Sequence, residues 1–331
     1  MTTRRLGATD LLVSPLGLGL AALGRPGYIN LGHAADLNHN YDIEMMEQHT
    51  HQLLDAAWAQ GVRYFDVARS YGRAEPFLGS WLKSRRISPN TVTIGSKWGY
   101  TYTANWQVEA DKHEIKDHSL PVLQRQWQES QANLNSFLNI YQIHSATLDS
   151  GVLENEPVLL ALARLKQFGI AIGLSLSGPQ QGEVLKRAMD IEIDGQRLFD
   201  TVQATWNVLE PSAGSTLQLA ADQGLGVIVK EALANGRLTS RNDNPAFAAK
   251  RAVLETQARR LETTIDALAL AAVLAQPWVG VVLSGAATID QLTANLKALH
   301  VAWDDQAAAA LAALVEPPEV YWQTRSALDW N

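Results

Sequence analysis

The stretch YFDVARSYGRAEPFLGSWLK, residues 64–83, passes from one structural period to another. An apolar run rich in β-formers, VRYFDV (62–67), stops near Asp66, and a turn follows in which Tyr71 stands beside Gly72. Helical spacing then takes over in AEPFLGSWLKS. Strand, turn and helix in that order make one β/α unit. The same unit recurs on both sides. Strand-like runs are SPLGLGL (14–20), VRYFDV (62–67), TVTIGSK (91–97), NIYQIH (139–144), IAIGLS (170–175), DTVQAT (200–205), GLGVIVK (224–230) and WVGVVLS (278–284). Helix-like segments lie between them, the longest a single pattern over 244–276. Eight units predict an α/β protein built as a closed (β/α)8 TIM barrel.

An open doubly wound sheet is the competing architecture, and its usual mark is a G-x-G-x-x-G turn after the first strand. Here that turn reads GLGLAALG, with Gly17 and Gly19 but Ala22 at the third position, so the fingerprint fails. TRRLGATDLLVS (3–14) reads as a hairpin preceding the barrel, and DDQAAAALAALV (304–315) as an extra C-terminal helix. No Ser/Gly-rich linker or repeat divides residues 1–331, which are therefore one domain. The connection 24–42 is longer than a βα loop needs to be; it is either a functional loop at the barrel mouth or a tolerated insertion.

Composition narrows the function classes. A net charge of -7 argues against a nucleic-acid surface, and the absence of Cys removes disulfides, thiolate metal sites and a Cys nucleophile together. MTTRRLGATD lacks the apolar core of a signal peptide and no apolar run reaches membrane-spanning length, so a cytoplasmic location and no membrane partner are expected. His33, His39, His49 and His51 make no metal set, because residues two apart on a helix face different ways. The expected partner is a small molecule; no oligomeric state follows from the sequence.

Residues at the carboxyl ends of barrel strands converge on one mouth. Asp66, Lys97 and His144 end the second, third and fourth strands, and Tyr71 lies just past the second. Singly, each has an ordinary explanation as a cap, a solvated strand end, a core histidine or a rim aromatic. Together they form a proton-transfer set. An ammonium at Lys97 would lower the pKa of the Tyr71 phenol, a carboxylate at Asp66 would keep that ammonium charged, and a neutral His144 could orient a carbonyl oxygen.

At these residues the chain resembles the aldo-keto reductase family. The resemblance rests on FDVARSYGRAEPFLGSWL against the family's Asp-x-Ala-x-x-Tyr-Gly-x-x-Glu-x-x-Leu-Gly pattern, GSKWG around Lys97 and YQIHSA around His144, and it extends over nearly the whole chain. It implies Tyr71 as general acid, Lys97 and Asp66 as its tuning pair, and His144 as the carbonyl-orienting group. It also implies a nicotinamide dinucleotide across the mouth, without the Rossmann turn. Ser175 and Gln203 would take the carboxamide, Leu233 and Gly236 the pyrophosphate side, and Gly285, Gln291 and Asn295 the adenosine half. The chain departs from the family in three places. Leu176 replaces an Asn after Ser175. Lys230 stands where many members place an aromatic against the nicotinamide, so that either Trp206 or another aromatic takes over or Lys230 contacts a phosphate or the substrate. Ala287 and Thr288 occupy the stretch where a basic residue often grips the extra phosphate of NADP.

The resemblance favours NADP(H) and leaves NAD(H) open. It implies reduction of an aldehyde or ketone to an alcohol. The alternatives are the same site run backwards as a sugar or aldose dehydrogenase, and a non-catalytic nucleotide-sensing subunit on the same fold. Trp98, Tyr100, Trp106, Tyr321, Trp322 and Trp330 are candidates for the rim of a pocket taking a carbonyl or sugar-like compound, whereas Trp58 and Trp81 belong under the barrel helices.

Overall fold

All eight apolar runs become staves of one closed barrel. The computed structural model describes residues 1–331. A hairpin of β1 (Arg4–Arg5) and β2 (Leu12–Val13) precedes the barrel strands β3 (Leu16–Gly19), β4 (Tyr64–Asp66) and β5 (Thr93–Trp98). A loop hairpin, β6 (Tyr100–Tyr102) and β7 (Glu114–Lys116), separates these from β8 (Leu138–Ala146) and β9 (Ala171–Leu176). After the short β10 (Glu192–Ile193) and β11 (Gln196–Arg197), the barrel is completed by β12 (Thr201–Thr205), β13 (Gly226–Lys230) and β14 (Val281–Ser284). Every neighbouring pair is parallel, in the order β3-β4-β5-β8-β9-β12-β13-β14, and β14 returns to β3.

Helices surround it: α1 (His33–Asp36), α2 (Ile43–Ala59), α3 (Ala74–Ser84), α4 (Leu120–Leu134), α5 (Glu156–Gln167), α6 (Gln181–Met189), α7 (Gly214–Asp222), α8 (Ala248–Arg260), α9 (Ile265–Leu274), α10 (Ile289–Leu296), α11 (Asp305–Ala312) and α12 (Pro318–Ser326). None is long and apolar enough to cross a membrane. The 244–276 pattern is two helices rather than one. Glu262 takes a positive φ of 51°, and the Thr264 hydroxyl caps α9 by accepting from the Ala267 N–H at 3.4 Å. The extra C-terminal helix is α11, and α12 follows it unforeseen, with Pro318 at its first position.

The pleat sorts each strand between two cores. Odd-numbered Val227 and Val229 of β13 face the helices in the large outer cluster, while Ile228 joins Leu6, Val13, Tyr64, Ile140, Val281 and Leu283 inside the barrel. On β4 the inward residues are Tyr64 and Asp66, and on β8 Ile140 and His144. The alternation that fills the floor with apolar side chains therefore sends the next layer of inward residues to the mouth. Room for the large Tyr64 ring comes from Gly17 and Gly95, where an added Cβ would lie 2.7 Å from Tyr64 Cδ1 and 2.5 Å from its Oη.

One buried acid holds the mouth loop to the scaffold. Glu75, in the first turn of α3, accepts from Ser96 and Ser130 at 2.6 Å each on one oxygen. On the other it accepts from Arg69 at 2.7 Å and Asn133 at 3.0 Å. Those donors belong to β5, α4 and the β4–α3 loop, so the carboxylate fixes the loop carrying Tyr71 beside the strand carrying Lys97. We predict that Glu75→Ala lowers unfolding free energy by about 3–5 kcal/mol, because it leaves Ser96, Ser130 and Asn133 without their acceptor and Arg69 with only Glu129, at 2.9 Å. Urea denaturation checks this, and a loss below about 1 kcal/mol would show that the network is dispensable.

Candidate active site

Asp66, Tyr71, Lys97 and His144 meet at the carboxyl end of the barrel, as their register requires. Lys97, 1% exposed, donates to Asp66 Oδ1, to the Val67 carbonyl at 3.1 Å and to Tyr71 Oη at 3.3 Å. The other Asp66 oxygen accepts from Tyr64 Oη at 3.2 Å and from Gln203 Nε2 at 2.8 Å. The Tyr71 and His144 rings meet edge to face, centroids 5.6 Å apart. His144 Nδ1 lies 3.4 Å from Ser70 Oγ. With Ser70 donating there, the ring proton sits on Nε2. Glycine makes the tyrosine's position attainable: a Cβ on Gly24 would lie 2.1 Å from the Tyr71 carbonyl oxygen, and Gly72 turns the chain at a φ of 58°.

The electrostatics differ from the sequence expectation for the phenol. Burial pushes the Tyr71 pKa well above its ordinary value, the Asp66 charge adds to this, and Arg25 opposes it. The ammonium of Lys97 touches the hydroxyl, yet it is already engaged with the carboxylate, so it does not overcome desolvation. Tyr71 therefore holds its proton at neutral pH. Burial likewise drives His144 well below its usual value, helped by the cations Lys97, Lys230 and Arg25, and leaves a neutral imidazole.

A cavity of about 590 Å³ starts at Tyr71 and His144 and runs along the barrel mouth to α10. Gln203, Lys230, Leu233, Gly236, Gly285, Gln291 and Asn295 all line it. Ser175 does not. Its hydroxyl accepts the Ser145 N–H at 2.8 Å, and Ser145 takes the cavity wall in its place. Gln203 gives its amide N–H to Asp66, which leaves Oε1 without a protein partner. At the far end Gln291 accepts the Ala287 N–H at 2.8 Å, and Asn295 donates to Ser284 Oγ at 2.9 Å.

The length of the cleft, the free Gln203 oxygen, the unpartnered buried Oδ1 of Asn235 and the open space beside Gly285 fit an elongated nicotinamide dinucleotide. Trp206 is not an aromatic wall for it; the indole packs in the outer core, edge to face with Trp278 at 5.6 Å.

Of the six rim aromatics expected, only Trp330 lines the cavity. Trp98 is fully buried, edge to face with His118, and Tyr100 contacts His144 from outside the cavity lining at 4.9 Å. Trp106 donates to the Tyr41 carbonyl at 2.6 Å. Tyr321 and Trp322 belong to the core cluster under α12. Trp58 and Trp81 do pack beneath the helices, edge to face at 6.0 Å. His49 and His51 tie α2 to different neighbours, the Ala287 carbonyl at 2.6 Å and the Phe77 carbonyl at 3.1 Å.

Several site residues carry no sequence signal. The Arg25 guanidinium stands over Tyr71 and Tyr28, each at 5.4 Å, and over Trp330 at 4.8 Å, and it pairs with Glu114 at 3.0 Å. Arg325 of α12 grips Glu231 through two nitrogens, at 2.6 and 2.9 Å. That pairing holds Glu231 at a pKa of about 2 even though burial pushes the other way. Lys230 donates to Thr205 Oγ1 at 2.8 Å and lies 3.8 Å from Glu231. Burial lowers its pKa to about 8 against the pull of Glu231, with Arg325 and Lys97 adding to the shift.

Comparison with known proteins agrees with this geometry. The model of the Aldo/keto reductase family matches residues 15–316. An uncharacterised oxidoreductase of Bacillus subtilis, YqkF, is 27% identical, with 91% of this chain and 92% of that protein covered. The NADH-specific methylglyoxal reductase of Escherichia coli is 24% identical over 95% of this chain and 98% of its own. The holo form of an aldo-keto reductase from Bacillus halodurans superposes with a TM-score of 0.72 at 22% identity, covering 96% of this chain and 97% of the other. A closed eight-stranded barrel, an Asp-Lys-Tyr-His set meeting at its mouth and a family match over most of the chain lead to one conclusion: this protein belongs to the aldo/keto reductase family and is an NAD(P)-dependent oxidoreductase.

Proposed function

We propose that the protein reduces an aldehyde or ketone to an alcohol, with Tyr71 as the proton donor. The observation that carries this is the single contact chain Asp66–Lys97–Tyr71 ending at the cavity wall beside His144. A bound nicotinamide supplies the hydride. The carbonyl oxygen is held between Tyr71 Oη and His144 Nε2, both of which carry protons at neutral pH. As negative charge grows on that oxygen, Tyr71 gives up its proton, and the adjacent Lys97 ammonium stabilises the phenolate left behind. Lys97 thus acts on the charged product of proton transfer rather than on the resting phenol. The reverse reaction, oxidation of a sugar hydroxyl or lactol, uses the same atoms with Tyr71 Oη as base.

For the cofactor we propose NAD(H) ahead of NADP(H), reversing the preference drawn from the resemblance. The adenosine end of the cavity is bordered by Asp266 and Asp290, and its only nearby cation, Arg241, is already held by Asp36 through two nitrogens at 2.8 and 2.5 Å. An extra phosphate there meets carboxylates and no unengaged Lys or Arg. The expected outcome of a fluorescence titration is a Kd for NADH at least about tenfold below that for NADPH, since the extra phosphate meets two carboxylates with no free cation to offset their repulsion. Tighter binding of NADPH would refute the preference.

The chemical assignment predicts that Tyr71→Phe lowers turnover of a carbonyl substrate by about 10²–10⁴-fold while leaving the NADH Kd within about twofold. A Phe variant with wild-type turnover would remove Tyr71 as the acid. Lys97→Met should abolish turnover and also destabilise the fold by about 3–5 kcal/mol, because Asp66 is left as an unpaired buried carboxylate. Adding Asp66→Asn to Lys97→Met should recover most of that stability and none of the turnover. Activity returning along with stability would make the pair purely structural.

A further inference from the structure

The cavity lining is balanced charge for charge at its catalytic end except at one place. Asp66 is matched by Lys97, and Glu114 by Arg25. Glu231, in contrast, is shared by two cations. Arg325 occupies both of its oxygens, and Lys230 is left at 3.8 Å with a hydroxyl, Thr205 Oγ1, as its close partner. The cluster carries one positive charge more than it carries negative; Lys230 and Arg325 both border the cavity, and Lys230 is the one without a close carboxylate. On the barrel wall Lys230 pairs in register with Thr205, two residues along β12 from Gln203, and Gln203 presents its free oxygen to the same space. The reaction proposed above brings the redox-active ring to this end of the cleft, because its reacting carbon must approach a carbonyl held at Tyr71 and His144.

We propose that Lys230 sets the oxidation-state preference of the site, its ammonium favouring the reduced, uncharged nicotinamide over the oxidised, cationic one. This rests on the cofactor reading above. A fixed cation in a largely desolvated cleft repels a pyridinium and is indifferent to a dihydropyridine. The effective dielectric of such a site makes this worth about tenfold or more in relative affinity. Where other side chains could only pack against the ring, Lys230 discriminates its charge. Each tenfold in the ratio of the two dissociation constants raises the potential of the bound two-electron couple by about 30 mV. Lys230 therefore weakens the retention of the oxidised cofactor and shifts the bound equilibrium toward the reduced one.

The test is the ratio of the NAD+ and NADH dissociation constants, NADH by its fluorescence and NAD+ by displacement of NADH. In the wild-type protein NAD+ should bind more weakly than NADH. The ratio should fall about tenfold or more in Lys230→Met and persist in Lys230→Arg. In the wild type it should also narrow as pH rises through about 8, where the amine loses its charge, and the Met variant should lack that pH dependence. The charged and titratable groups facing the amine are Glu231, Arg325, Lys97, Asp66 and His144; Glu231 and His144 titrate far below that range, and Arg325 above it. An unchanged ratio in Lys230→Met, or a wild-type ratio independent of pH between 7 and 9, overturns the proposal and leaves the cofactor reading standing. A wild-type protein that binds neither nucleotide overturns both.

Discussion

The ion pair between Lys97 and Asp66 is the contact on which the rest of the mouth depends. Both side chains are nearly inaccessible to water, so removing either one leaves the other buried without its counter-charge. Asp66 also accepts from Tyr64 and Gln203, while Lys97 donates to Tyr71 and to the Val67 carbonyl. One carboxylate thereby joins β4, β5 and β12 at their carboxyl ends and reaches the loop beyond β4 through the ammonium. The geometry that the proposed proton transfer needs and the geometry that satisfies a buried charge are one arrangement.

That arrangement was legible in the sequence because it follows from a period of two. Asp66, Lys97 and His144 lie an even number of residues along their strands from inward-facing positions, and the apolar residues between them face the helices. The eight strands were readable for the same reason. What stayed hidden lacks periodicity. Arg25 and Glu114, or Glu231 and Arg325, meet across loops and a tail helix, and no local pattern announces a partner 89 or 94 residues away. The loop and tail aromatics misled because Trp98, Trp106, Tyr321 and Trp322 have the composition of a rim, while their placement is decided by what packs above them. The 244–276 segment has helical periodicity on both sides of Thr264, and only the cap and the positive φ at Glu262 betray the break.

The behaviour of Tyr71 shows why residue chemistry alone gives the wrong sign for a buried acid. An adjacent ammonium lowers a phenol's pKa when the ammonium's field is free to act. Here Asp66 answers that field at closer range, and burial penalises the phenolate outright. In the proposed reaction, proton release is therefore coupled to the appearance of negative charge on a ligand, not to pH near neutrality. For the proposed reduction, an acid that stays loaded until its partner oxygen becomes basic is the useful state.

Two phenols lie near the same carboxylate, and only one is suited to the chemistry. Tyr64 donates directly to Asp66, is wholly buried, and its pKa is raised well above the ordinary value by burial and by that charge. Its ring belongs to the apolar floor with Ile140, Ile228 and Val281, and its hydroxyl to the charged layer above. It is the residue at which the barrel stops being a packed core and becomes a site. Tyr71 sits on the other side of Lys97, facing the cavity. The same hydrogen-bonding residue type thus serves stability beneath the ion pair and reactivity above it, and the difference is set by which of the two a ligand can touch.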